Sequence, residues 1–134
     1  MIAFLSPHKP EELFTGSTNE LREKSGYWRI DPEEYKKALL LRWEDIVFHD
    51  PPSNFFLSWS LPIPETDGGR SSFNLDDNTV VFKLYDTFEE FVLWHRSVIP
   101  EPRHLLFFLE GIFTVFEIKL TTSAADVKRF VGAT

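Results

Sequence analysis

Hydrophobic and polar positions change period several times along this chain. Phe55, Leu57, Trp59 and Leu61 alternate with Ser58 and Ser60. A period of two sends neighbouring side chains to opposite faces, so this stretch predicts a half-buried strand. Pro62 and Pro64 end it, and Asp67-Gly68-Gly69 reads as a loop tip. Residues 72–75 predict a short strand, Asp76-Asp77-Asn78 a hairpin turn and residues 79–84 the return strand. A further short strand at 46–48 is closed by Asp50-Pro51-Pro52. Such short connections favour a meander.

The densest apolar run is 105–109, which is apolar on both faces, as in a central strand. Glu110-Gly111 predicts a tight hairpin into a strand over 112–120. Ile112, Thr114, Phe116, Ile118 and Leu120 share one face of that strand. Phe113 and Val115 begin the other, which turns polar at Glu117 and Lys119. The hairpin over 104–120 is the expected hydrophobic centre.

Three stretches carry the helical period. Asp31 caps the first, with Pro32 in its first turn and Glu34 at the capping-box position. Tyr35, Ala38, Leu39, Leu40 and Trp43 fall on one side of it, opposite Glu33, Glu34 and Lys37. The second runs over 88–98, with Thr87 as cap, Glu90 three residues on and Pro100 beyond its end. The third follows Thr121 or Thr122, with Val127, Phe130 and Val131 as its stripe and Gly132 as its stop. Residues 1–26 are less regular: a short edge strand over 1–5 broken by Pro7 and Pro10, then a capping-box spacing at Ser17 and Glu20. The chain is therefore expected to be a single α+β domain over 1–134. Its core is an antiparallel sheet of about five or six strands with about three helices packed mainly on one face.

Composition narrows the function classes. A chain of 134 residues buries a sizeable core without staples. The absence of cysteine excludes disulfides, thiolate metal sites and a cysteine nucleophile, and fits a reducing compartment. The apolar run at the N-terminus is too short for a signal peptide. Glu110 and Gly111 interrupt the nearest approach to a membrane span. A cytoplasmic location without a membrane partner is expected. The net charge is −7, with 12 acids and 7 bases through Asp67 and 9 and 7 after it. Both halves are acidic, so there is no basic domain to grip a nucleic acid. A basic protein partner suits this charge better.

Candidate chemistry is sparse. His95 falls in the apolar arc of the second helix with Phe88, Phe91, Val92, Val98 and Ile99, while Glu89, Glu90, Leu93 and Ser97 lie opposite. It should point at the sheet, as a core histidine bonded to a backbone or strand group, or else line a pocket as an acid or base. His104, with Glu101, sits across a nine-residue spacing that fixes no ligand geometry, so no metal or other cofactor is expected. His8 and His49 are isolated and expected at the surface. The adjacent acids Glu33-Glu34 and Glu89-Glu90 read as first-turn residues serving the helix dipole. No G-x-S-x-G elbow or phosphate-binding glycine loop occurs.

Surplus apolar surface is the remaining signal. Phe56, Val81, Leu106, Phe108, Phe113 and Val115 are assigned to the sheet face away from the helices. Trp94 and Arg96 add a flank of the second helix rich in interface-forming residue types. The expected function is that of a non-catalytic interaction protein: an inhibitor or neutraliser of a basic protein, or an assembly subunit or homodimer. The alternative is a small-ligand binder or enzyme with a pocket at His95 and His104.

Overall fold

The computed structural model describes residues 1–15, 28–52, 55–64, 66–100, 103–112 and 114–134. Along these residues run β1 (Ile2–Ser6), α1 (Pro10–Thr15), α2 (Pro32–Arg42), β2 (Val47–His49) and β3 (Leu57–Pro62). Then follow β4 (Arg70–Asp76), β5 (Thr79–Lys83), α3 (Phe88–Val98), β6 (Leu106–Leu109), β7 (Phe116–Glu117) and α4 (Ala124–Ala133). The described residues thus form an α+β fold of seven strands and four helices, close to the expected count.

The strands form one antiparallel sheet in the order β2-β3-β4-β5-β1-β6-β7. The meander from β2 to β5 follows from its short connections. At the β4–β5 turn Asp77 takes φ 57°, the left-handed region that Asp and Asn tolerate better than most residues. The alternation in β3 sets its faces: Leu57, Trp59 and Leu61 lie opposite Leu75, Phe73 and Ser71 of β4.

The first strand is a correction. It is not an edge strand but sits between β5 and β6, with Leu5 opposite both Val80 and Phe107. Ala3 and Leu5 are fully buried, and Ala3 is small enough to fit between Phe82 and Leu109. The strand stops at Ser6, one residue before Pro7, which has no N–H for a ladder.

Three helices cover the face that carries Leu5, Trp59, Phe73, Phe82 and Phe107. Tyr35 of α2 meets the Trp59 ring at 5.6 Å, and Phe91 of α3 meets Phe73 at 4.5 Å and Phe82 at 5.5 Å. Phe130 of α4 packs 5.9 Å from Phe107. This layer, aromatic on four strands and completed by Leu5 of β1, is the main core.

Several boundaries differ from expectation. Only Phe116 and Glu117 of the stretch 112–120 pair with β6, opposite Phe107 and Leu106. Residues 110–112 and 114–115 lie outside any strand, so Glu110-Gly111 does not close a two-residue hairpin, although Gly111 has φ 78°. The Ile112 N–H turns back to the Leu109 carbonyl instead of entering a ladder. Thr87 makes no side-chain cap bond, because its φ of −103° and ψ of 27° lie outside the extended conformation a cap needs. Ser123, not Thr121 or Thr122, caps α4 in a complete capping box with Asp126, and the helix continues past Gly132 to Ala133. The helix expected from Ser17 to Gly26 lies outside the described residues. No helix of the described residues is long and apolar enough to cross a membrane.

Candidate functional site

His95 is placed by α3, whose apolar arc faces the sheet. The residue is fully buried, and its Nδ1 lies 2.8 Å from the Tyr35 hydroxyl. The Phe91 ring stacks on the imidazole with centroids 5.9 Å apart. Desolvation, helped by the neighbouring Arg96 charge, lowers the His95 pKa to about 3. Burial also raises the Tyr35 phenol well above its usual value. A neutral imidazole accepting the phenol proton at Nδ1 carries its own hydrogen on Nε2, and among the described residues Nε2 has no hydrogen-bond partner. The cavities bounded by described residues, beside Arg103, Trp28 and Phe56, do not include His95. The geometry is that of a core histidine fixing α3 against α2.

Trp94 belongs to the same aromatic cluster, 5.0 Å from Trp43, 5.3 Å from Tyr35 and 5.7 Å from Phe91. It is partly exposed, but its ring faces are largely used within the fold. Arg96 is not on an exposed flank. It is 5% exposed, and its guanidinium donates to the carbonyls of Arg103 and Ile99 at 2.9 and 3.0 Å. Those bonds clamp the chain leaving α3. His104 is separate from His95: it lies at the surface, 3.4 Å from the Glu117 carboxylate. Glu101 lies outside the described residues, among which no cluster of three or more His, Asp or Glu is placed to hold a metal.

Two other expectations are corrected by burial. His8 is 4% exposed rather than at the surface, and its N–H bonds the Ser6 hydroxyl, which meets Thr79. Glu89 is buried where α3 packs against α4, and Lys128 of α4 lies 3.5 Å from its carboxylate. His49 is exposed, as expected, with Nε2 3.1 Å from the Ser60 hydroxyl.

The second sheet face is mixed. Phe108 stacks on Phe4 at 5.1 Å and is fully buried, although the register points it away from α2, α3 and α4. That part of the face is therefore covered within the chain. Val81, which is opposite Phe4, and Leu106 are half-buried, and so is Val115 in the connection before β7. Phe56 lies just before β3 and is exposed. Phe113 lies outside the described residues.

Sequence reasoning missed two features. The helical period puts Leu40 on the inward side and gives Leu41 no place there, yet they are 50% and 91% exposed. Arg96, Arg103, His104 and Lys119 gather around a groove of about 260 Å³ beside β6 and β7. The cue for the first was three consecutive leucines, of which a helix packed along one narrow stripe buries only one. The second had no local cue, since Lys119 joins through the β6–β7 register. Compared with known proteins, the chain matches no family model, no curated protein and no solved structure.

Proposed function

We propose that this chain is a non-catalytic interaction protein that docks on a basic protein surface through the outer face of α2. The carrying observation is Leu41, 91% exposed beside Leu40 on a helix that buries only Tyr35 and Leu39. Among the described residues Leu41 is almost wholly uncovered and Leu40 half uncovered, and burying a leucine fully in a partner contributes about 1.5–3 kcal/mol.

Charge supports a basic partner. The cations of this region have internal contacts: Lys36 sits over Phe48, Arg42 over Trp43, and Lys37 pairs with Glu34. Among the described residues no cation pairs with Glu33, Glu44, Asp45 or Asp50, all of which are exposed. An apolar centre rimmed by unpaired acids suits a cationic surface with an apolar pocket.

The test uses an amphipathic Lys/Leu peptide as probe, followed by NMR. Amide shifts should concentrate on α2 and weaken with added salt, because exposed charge pairs are screened. Replacing both leucines by serine should weaken binding by tenfold or more, about 1.4 kcal/mol. Leu120→Ser, also at an exposed leucine, should change nothing. Equal binding by wild type and the double variant would overturn the proposal.

A further inference from the structure

At the opposite edge of the sheet from β2, the groove beside β6 and β7 holds a charge that the fold leaves unbalanced. Arg96 is 5% exposed, and its hydrogen bonds to the described residues go to neutral carbonyls. Among the described residues its Nε has no hydrogen-bond partner and no carboxylate pairs with it. A guanidinium carries its charge at any physiological pH. A buried charge without a counter-ion is costly, because carbonyl dipoles offset only part of the lost hydration. Such a group is normally found facing an anion.

The space beside it is shaped for one. The groove encloses about 260 Å³ and is lined by Arg96, Arg103, His104 and Lys119, with Glu117 as the only acid among the described residues that line it. Three fixed cations converge there in a chain whose net charge is −7. Glu117 faces His104 rather than Arg96. Arg103 and Lys119 are exposed on the rim, so an anion could enter from solvent and reach the groove that the Arg96 side chain lines.

We infer that this groove binds a small phosphate-bearing molecule, with the phosphate held by Arg103 and Lys119 against the wall that the Arg96 side chain lines. A tetrahedral dianion takes donors from several directions at once, which suits three cations arriving from α3, the α3–β6 link and the segment after β7. The volume lies just below the roughly 300–1,000 Å³ of drug-sized pockets, so a phosphate monoester fits better than a nucleotide. This site shares no residue with the α2 surface, and either reading stands without the other.

Inorganic phosphate, titrated at constant ionic strength into the intact chain, is the probe. The expected result is a saturable shift of the Arg96 Nε–H resonance, accompanied by a rise in melting temperature. Arg103→Gln combined with Lys119→Gln, both on the rim, should weaken binding about tenfold, or roughly 1.4 kcal/mol. A non-saturating response, or equal affinity in the double variant with the fold intact, would sink the proposal. A phosphoserine peptide binding far more tightly than phosphate or simple monoesters would overturn the small-molecule assignment in favour of a modified partner.

Discussion

His95 has its imidazole enclosed between Tyr35 and Phe91, and that enclosure sets its protonation. With a pKa of about 3 when folded and about 6.5 when unfolded, it binds a proton only in the unfolded chain between those values. The unfolded state therefore holds more protons there, and stability falls as pH drops through that window. Its contribution is fully present above about pH 6.5 and declines by roughly 1.4 kcal/mol per pH unit below it. The imidazole carbon-bound protons should show no titration by NMR down to about pH 4. A midpoint near 6 to 7 in the folded chain would contradict this enclosure. At this scale the sequence was informative: the inward direction of His95 followed from its place among Phe88, Phe91 and Val92. Its partner was not legible, since Tyr35 is sixty residues away and arrives through packing.

Helix caps show how element boundaries depend on backbone conformation as well as residue type. Thr87 and Ser123 both occupy positions where a cap is chemically suitable. Ser123 has the extended φ and ψ of −93° and 161° and accepts from the Asp126 N–H, whereas Thr87 makes no such bond. Ser123→Ala should cost about 1 kcal/mol in chemical denaturation. Thr87→Ala should be nearly neutral, and an equal loss in both would contradict the difference seen here. The same limit explains the strands. Alternation identified β3 and the apolar run identified β6, because face patterns are local. The shortness of β7 and the interior place of β1 depend on partners far along the chain, which no window of sequence contains.

At the scale of the whole molecule, the sheet has a large helix-covered core and a smaller apolar patch behind it. The α+β class and the helices on one face were readable, because periodicity decides which elements exist and short connections decide that they pair antiparallel. The second face was read as a candidate interface, and Phe108 shows why that reading is incomplete. Apolar side chains mark a face that wants to be buried, without saying by what. Phe108→Ala should destabilise the fold by about 3–5 kcal/mol, as for a main-core aromatic. A loss below 1 kcal/mol in urea unfolding would show that the patch contributes little. The exposed leucines of α2 and the cationic groove were less legible for the same reason. Both are defined by what the rest of the fold leaves unused.

The interior position of β1 has a kinetic consequence. Its two neighbours, β5 and β6, are joined to it only through residues more than half the chain away. The middle of the sheet closes only when segments distant in sequence have met around a strand made long before them. Such non-local pairing pays its loop-closure entropy before any contact rewards it, which slows folding. Until then the edges of β5 and β6 are open, and a free peptide resembling IAFLS could enter the gap. Chains lacking residues 1–6 should therefore be rescued by that peptide in trans, and the early strand would act as a late keystone of assembly.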